Sequence, residues 1–91
     1  MRRRLIITGR VQGVWYRDWF VGAATALGLV GWVRNRRDGS VEAMIDGAEG
    51  AVTAMIAQAW QGSPRAQVDS VMADDASPEP PLTGFERRPS I

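Results

Sequence analysis

The sequence contains neither cysteine nor histidine among its 91 residues. Their absence excludes disulfide bonds, thiolate nucleophiles and imidazole bases, together with the commonest ligands of zinc and haem. Lysine is absent as well, so all eleven basic residues are arginine. We attribute that bias to codon composition and infer no function from it. Any chemistry must therefore come from arginine, amide, carboxylate or hydroxyl side chains or from the backbone.

Long apolar segments are also missing. Arg2–Arg4 precede only the three apolar residues Leu5–Ile7, too few for the core of a signal peptide, and no apolar run approaches the length of a membrane span. We therefore expect a cytoplasmic protein that does not bind a membrane. The net charge of +1 provides no broad basic field for non-specific nucleic-acid binding. The length predicts a single domain, residues 1–91, and a monomer.

Alternating apolar and polar residues, with turn signals between the runs, predict the strands. The segment Arg36–Gly39 contains the Asp-Gly signal of a hairpin turn, so the strands on either side of it should pair. The alternation slips at Ser70–Val71, which indicates a β-bulge. The predicted strands cover residues 3–8, 30–35, 40–46 and 68–74, with a short last strand at 84–87.

Apolar residues at helical spacing predict two helices. The first begins at Asp18 and ends before Gly28, and the second ends before Gly62. Asp46 is the predicted cap of the second helix, with Glu49 three residues later. The apolar stripe of this second helix consists of Val52, Met55, Ile56, Ala59 and Trp60.

The resulting order of elements, β-α-β-β-α-β, is that of the ferredoxin-like split βαβ sandwich. The predicted fold class is therefore α+β, with an antiparallel sheet and two helices on one face. Because this fold hosts many functions, the order of elements does not assign one. Function has to be inferred from the motifs that the fold carries.

The first motif is a two-glycine loop, GRVQGVWYR at residues 9–17, which ends in an arginine where the first helical pattern begins. A cation in the first turn of a helix is unfavourable by roughly 0.3–1 kcal/mol unless an anion joins it. Gly9 and Gly13 allow the backbone to fold its N–H groups into a concave nest, and the guanidinium of Arg17 can bind two phosphate oxygens. Phosphate is the first ligand to consider, although a glycine turn followed by a solvated arginine would also fit this segment alone.

The second motif, GWVRNRRDGSVE at residues 31–42, places Asn35 at the end of the second strand. Together the two motifs resemble the paired signature of the acylphosphatases in order, in spacing and in their place within the βαββαβ layout. This resemblance covers nearly the whole chain. It implies hydrolysis of the carboxyl-phosphate mixed anhydride of acyl phosphates, which are small molecules, without a cofactor and without a metal.

The resemblance also implies residue roles. Arg17 and Asn35 would be the catalytic residues, with Arg17 holding the phosphate and Asn35 orienting the attacking water. The backbone amides of the loop would bind the phosphoryl oxygens. An amide side chain offers a donor and an acceptor but no base near neutral pH, which suits a water-positioning role. Taken alone, Asn35 would be read as a hairpin residue that bonds its own backbone. The residues of the implied binding loop are Arg10, Val11, Gln12, Gly13 and Val14.

The aromatic residues offer a different hypothesis, a base-stacking platform on the sheet. We predict instead that most of them pack in the core, because no segment matches the aromatic-rich strands of an RNA-recognition module. Nucleic acid is therefore not an expected partner. The residues concerned are Trp15, Tyr16, Trp19, Trp32 and Trp60.

Two further alternatives stay open at this stage. Arg34, Arg36 and Arg37 near Asn35 either attract anionic substrates or form a solvated hairpin surface. The domain as a whole could also be a non-catalytic phosphate or acyl-phosphate sensor, or a domain once carried by a larger carbamoyl-transfer protein. A pure phosphate binder would need the arginine and the nest but not a water-positioning amide.

Overall fold

The structure is a computed structural model that describes residues 1–91. It confirms the ferredoxin-like α+β fold and the short last strand predicted at 84–87, which follows the βαββαβ core. Neither helix has the length and apolar character needed to cross a bilayer. The elements are β1 (Arg2–Arg10), α1 (Tyr16–Ala26), β2 (Val30–Asn35), β3 (Val41–Asp46), α2 (Glu49–Gln61), β4 (Gln67–Asp75) and β5 (Phe85–Arg87).

The five strands form one sheet in the order β4-β1-β3-β2-β5. The first four pair antiparallel, as predicted, whereas β5 pairs parallel to β2 and makes the sheet mixed. The reason is the route of the chain. Because β4 and β5 lie at opposite edges of the sheet, residues 76–84 cross the sheet after the end of β4. The chain then enters β5 running in the same direction as β2. Alternation within β5 could not reveal its partner or its direction.

The core lies between the sheet and the two helices. One face of each central strand supplies Leu5 and Ile7, Val33, and Ala43 and Ile45, all without solvent exposure. Against them α1 places Phe20 and Ala24, and α2 places its apolar stripe. Buried residues fall at every second position of the strands and at every third or fourth position of the helices. The same two patterns predicted these layers from the sequence. The buried stripe of α2 consists of Val52, Met55 and Ala59.

The face of the sheet without helices carries a charged cluster. Glu42 is buried and accepts hydrogen bonds from Arg4 at 2.6 Å and from Arg34 at 2.7 Å. Trp32 lies beside it, with the guanidinium groups of Arg34 and Arg88 over its ring at 4.6 Å and 4.9 Å. Arg34 is therefore paired with Glu42 and packed on Trp32, on the face of the sheet opposite the helices.

The predicted cap of α2 is wrong. The residue before α2 is Ala48, which has no side-chain cap, and Asp46 is the last residue of β3. The carboxylate of Asp46 instead pairs with the guanidinium of Arg2, with 3.0 Å between Nη2 and Oδ2. The spacing of Asp46 and Glu49 matched a capping box, but the strand continues to Asp46 and leaves its side chain on the other face of the sheet.

Of the five aromatic residues predicted for the most part to be in the core, Tyr16 and Trp32 are buried and Trp19 packs against the core, whereas Trp60 and Trp15 are exposed. Trp60 is 48% exposed because it follows Ala59, the last buried residue of the α2 stripe, and lies at its margin. Trp15 is 74% exposed in the loop before α1. The predicted bulge is present one residue earlier than expected, since β1 pairs Thr8 with Ser70 and Gly9 with Val68, so that Asp69 is the extra residue.

Candidate active site

The loop between β1 and α1 leaves a row of backbone N–H groups without acceptors. Gly13 has a φ of 71° and Trp15 a φ of 62°, and these left-handed residues bend the chain into the first turn of α1. No backbone N–H from Gln12 to Arg17 donates a hydrogen bond to another protein atom. Free N–H groups of this kind, in a loop that leads into a helix, favour the binding of an anion.

Side chains and carbonyls fix the loop at both of its ends. The side-chain amide of Gln12 donates to the backbone carbonyls of Arg36 at 2.7 Å and Ser40 at 2.8 Å, both in the β2–β3 hairpin. The hydroxyl of Ser63, after α2, donates to the carbonyl of Val14 at 2.8 Å. Val11, directly before Gln12, is buried in the core. The loop is therefore held in place before any ligand binds.

The hairpin that receives Gln12 is itself stabilised by Asp38. The carboxylate of Asp38 accepts hydrogen bonds from the backbone N–H and the hydroxyl of Ser40. The hydrogen bonds from Ser40, with a smaller contribution from the nearby Arg36, lower the pKa of Asp38 below its usual value. The turn therefore keeps an ionised carboxylate that closes the hairpin and orients Ser40.

Arg17 is the second residue of α1 and has no carboxylate partner. A guanidinium in this position faces the partial positive charge of the helix N-terminus, so an anion bound beside it would be favourable. The neighbouring Asp18 instead pairs with Arg87 of β5, with Nη1 at 3.0 Å from Oδ1. Arg87 is thereby neutralised while Arg17 stays available.

Asn35 ends β2 on the face of the sheet that carries the helices, and its backbone is held on both sides. It pairs with Val41 of β3, and its carbonyl accepts the N–H of Ile91 from the C-terminal segment at 3.1 Å. Its side-chain Oδ1 is buried and has no hydrogen-bond partner, the only such side-chain atom in the chain. An unpartnered buried acceptor costs about 1–3 kcal/mol, a cost that a bound donor would remove.

These elements enclose a cavity of about 270 Å³. Of the residues that the sequence singled out, the structure brings Val11, Gly13, Arg17 and Asn35 together around it. Arg10, Gln12 and Val14 line a second groove with Arg65, and Gly13 borders both this groove and the cavity. No group of three or more aspartate or glutamate side chains is placed to hold a metal ion. The cavity is completed by Trp15, Tyr16, Asp18 and Arg87.

Sequence reasoning missed Arg87 and Asp18 as cavity residues. Asp18 follows Arg17 directly, but a carboxylate in the first turn of a helix is common and indicates nothing specific. Arg87 comes from a strand whose position depends on the crossing of residues 76–84, so no local pattern could have placed it here. Trp15 and Tyr16 belong to the first motif, but the motif alone does not indicate whether their side chains line the cavity.

Comparison with known proteins decides the family. The family model for acylphosphatase matches residues 3–87. The chain belongs to the acylphosphatase family. It is 51% identical over 86 residues to an acylphosphatase of Rhodospirillum rubrum, covering 93% of this chain and 92% of that protein. An acylphosphatase of Rhizorhabdus wittichii is 48% identical and covers 98% of the chain, with 89% of its own length matched.

Solved structures agree with this assignment. The crystal structure of acylphosphatase from Bacillus subtilis superposes with a TM-score of 0.92 at 32% identity, over 96% of this chain and 97% of that one. The acylphosphatase fold also occurs inside a larger protein, full-length HypF, with a TM-score of 0.89 at 23% identity. That match covers 98% of this chain but 12% of HypF, and at this identity it shows the fold alone.

Proposed function

We propose that this acylphosphatase carries out its hydrolysis of acyl phosphates at the cavity between the β1–α1 loop and Asn35. The loop amides and Arg17 bind the phosphoryl oxygens, and Asn35 orients the attacking water. The observation that carries this proposal is the buried, unpartnered Oδ1 of Asn35 in the same cavity as the unpaired Arg17. A phosphate-binding site needs the arginine, whereas a buried acceptor beside it suits the positioning of water.

The chemistry requires no side-chain base. The water oxygen attacks phosphorus, the bond from phosphorus to the acyl oxygen breaks, and the water proton passes to a phosphoryl oxygen. The leaving group is a carboxylate, whose conjugate acid has a pKa near ~4, so it departs without a general acid. The protein supplies position and charge stabilisation, which are the main contributions in phosphoryl transfer. The scheme assigns no step to a metal or a cofactor.

The test is release of inorganic phosphate from acetyl phosphate in buffer that contains a chelator. Arg17→Ala and Asn35→Ala should each lower turnover by about 10²–10³-fold, the usual effect of losing one group that stabilises or positions the reacting atoms. Arg37→Ala is the matched control, because Arg37 is an exposed arginine two residues after Asn35 and does not line the cavity. Circular dichroism and thermal melting would establish that each variant is folded.

Each outcome has a defined meaning. Retained turnover in a folded Asn35→Ala variant would remove the water-positioning role from that residue. A folded wild-type protein that binds inorganic phosphate and hydrolyses no acyl phosphate would instead be the non-catalytic sensor considered above. Loss of turnover in the control Arg37→Ala as well would indicate a general effect of hairpin charge.

The three remaining expectations are that the chain is one domain, a monomer and cytoplasmic. A single core that draws buried residues from both helices and from the strands β1 to β3, with side chains of β4 and β5 packed against it, supports one domain. The radius of gyration of 11.7 Å is close to the roughly 12 Å expected of a compact domain of this length. Sedimentation would test the monomer, and fractionation of the source cells would test the compartment.

A further inference from the structure

Arg87 is the second cation of the candidate active site, and it comes from a different element than Arg17. It lies on β5, where it pairs with Val33 of β2, two residues before Asn35. Because strand residues alternate between the two faces of a sheet, Arg87 shares with Val33 and Asn35 the face that carries the helices. The guanidinium of Arg87 therefore reaches the cavity from the sheet, whereas that of Arg17 reaches it from α1.

The contact that holds the Arg87 side chain is weak. Its Nη1 donates to Oδ1 of Asp18 at 3.0 Å, and both side chains are 49% exposed. A guanidinium has five N–H donors, and the contact with Asp18 uses only one of them. An exposed ion pair held by a single hydrogen bond contributes little to stability. Arg87 can therefore exchange Asp18 for another anion at low cost.

The charge of a phosphoryl group favours that exchange. A phosphate bonded through one oxygen carries a charge of about −1.5 to −2 near neutral pH, and Arg17 balances only one negative charge. Asp18, the only carboxylate of the cavity, cancels the charge of Arg87. A phosphate in the cavity would repel this carboxylate and attract the guanidinium, since hydrogen bonds from arginine to phosphate are charge-assisted and frequently bidentate.

We infer that Arg87 is a second phosphate-binding residue of the cavity and that the phosphoryl group of the substrate displaces Asp18 from it. This inference rests on the proposed function, which places the phosphoryl group between the β1–α1 loop and Asn35. The Asp18–Arg87 pair is then an internal competitor of the ligand. The guanidinium of Arg87 raises the affinity for phosphate, and the carboxylate of Asp18 lowers it.

The experiment measures the dissociation constant of inorganic phosphate by titration calorimetry. Arg87→Gln should weaken binding by about tenfold, an ordinary effect for loss of a charged hydrogen-bond donor. Arg87→Lys keeps the charge without the planar fork and should recover part of that loss. Asp18→Asn should strengthen binding by about two- to fivefold, because it removes the competing carboxylate of an exposed pair. KM for acetyl phosphate should change in the same directions.

Arg88→Gln is the matched control. Arg88 is the next residue along the chain and forms a comparable exposed pair with Glu86 at 2.8 Å. Its guanidinium lies over Trp32 on the opposite face of the sheet and does not line the cavity. Its substitution should leave phosphate binding unchanged. Thermal melting would establish that every variant is folded.

The opposite effects of the two substitutions separate this inference from a structural role. If the ion pair only attaches β5 to α1, Arg87→Gln and Asp18→Asn should change phosphate binding in the same direction or leave it unchanged, and either result would overturn the inference. An equal loss in Arg88→Gln would also overturn it, because it would show a general effect of charge. A folded wild type that binds no phosphate would overturn it as well.

The calorimetric result does not depend on turnover. A wild type that binds phosphate, with opposite effects of the Arg87 and Asp18 substitutions, but hydrolyses no acetyl phosphate would contradict the proposed function and still support the phosphate-binding role of Arg87. Hydrolysis by the wild type together with unchanged phosphate binding in Arg87→Gln would have the reverse meaning.

Discussion

The side chain of Gln12 joins the β1–α1 loop to the backbone of Arg36, with 2.7 Å between Nε2 and the carbonyl oxygen. The same amide donates to the carbonyl of Ser40 at 2.8 Å, and that carbonyl also accepts the N–H of Arg36. Gln12 thus contacts the first residue after Asn35. One side chain therefore fixes the position of the β1–α1 loop, which binds phosphate in our proposal, relative to Asn35, which orients the water.

Removing this contact should affect activity more than stability. In Gln12→Ala the loop loses its attachment to the hairpin, and a small displacement of phosphate from Asn35 should lower kcat/KM for acetyl phosphate by about tenfold or more. The free energy of unfolding should fall by about 1–2 kcal/mol, the usual net value of two hydrogen bonds. Gln61→Ala, at the exposed end of α2, is the control. Wild-type kinetics in Gln12→Ala would show that the loop keeps its position without this contact.

Glu42 should make stability depend on acid pH. Burial raises the pKa of its carboxyl, but the hydrogen bonds from Arg34 and Arg4 outweigh that effect and hold the pKa below the usual 4.5. A lowered pKa in the folded state means that stability is present above about pH 4.5 and is lost as pH falls through the folded pKa. Glu42→Gln should therefore reduce the free energy of unfolding by about 2–3 kcal/mol at pH 7.

The measurement is urea unfolding of the wild type and Glu42→Gln from pH 7 down to about pH 3. The difference between the two should be constant near neutrality and should shrink in acid. Glu86→Gln is the matched control, because the Glu86–Arg88 pair is exposed and should contribute less than about 1 kcal/mol. A difference that does not change with pH would mean that the ionisation of Glu42 does not stabilise the fold.

Local pattern was enough to predict most of this fold. β2 covers Val30–Asn35, the range that alternation and the Asp-Gly turn predicted, and the family assignment from the two motifs is confirmed. Both motifs lie at the ends of regular elements, where the chemistry of the turn is encoded within a few neighbouring residues. The resemblance of the two motifs selected Arg17 and Asn35, and the structure places both around one cavity.

Features that depend on distant segments were not predictable in this way. The parallel pairing of β5, and with it the Asp18–Arg87 pair, depends on how residues 76–84 cross the sheet. The exposure of Trp15 and Trp60 likewise depends on tertiary packing, since an aromatic residue has the same local pattern at the margin of a core as inside it. The assignment of Asp46 as a helix cap failed because α2 begins only at Glu49, so that Ala48 and not Asp46 precedes the helix.

Gly9 and Gly13 belong to the same motif, but substitution by alanine should destabilise the fold more at Gly9 than at Gly13. Gly9 has a φ of 121°, and an added Cβ would overlap the carbonyl oxygen of Gln67 and lie 2.7 Å from the backbone nitrogen of Asp69. Because the obstacle is the backbone of the β4 bulge, Gly9→Ala should cost about 3 kcal/mol. Gly13 has a φ of 71° but open space around it, so Gly13→Ala should cost about 1–2 kcal/mol from the left-handed conformation alone.

Chemical unfolding of the two variants separates the steric cost from the conformational cost. Gly28→Ala provides the control, because Gly28 also has a positive φ with nothing near it and is far from the site. It should match Gly13→Ala in stability while retaining full activity. Equal destabilisation by Gly9→Ala and Gly28→Ala would mean that the bulge yields to the added methyl group.

Tyr16 should make stability depend on alkaline pH, through a contact between the two helices. Its hydroxyl is buried and donates to the carbonyl of Ala59, in the last turn of α2, at 2.8 Å. Burial raises the pKa of Tyr16 well above its usual value of 10. Stability from this group is therefore complete below about pH 10 and is lost as pH rises, because the unfolded chain ionises while the folded chain does not.

The composition makes this effect unusually easy to isolate. Tyr16 is the only tyrosine, and the chain contains no lysine or cysteine, so no other side chain titrates between about pH 10 and pH 12. The free energy of unfolding of the wild type should fall by about 1.4 kcal/mol per pH unit above pH 10. At neutral pH the free energy of unfolding of Tyr16→Phe should be about 1–2 kcal/mol below that of the wild type, because the hydrogen bond is lost. It should not decrease above pH 10 in the way the wild-type value does.

The two stability curves should therefore meet near about pH 11, and beyond that pH the phenylalanine variant should be the more stable protein. The phenolate absorbance band gives an independent measurement, because a single tyrosine reports on a single site. In the native wild type the band should be absent near pH 11 and should develop together with unfolding. Ionisation of Tyr16 in the native protein near pH 10 would contradict the prediction, since it would show that the hydroxyl is reached by solvent and that its bond to Ala59 does not keep the phenol neutral.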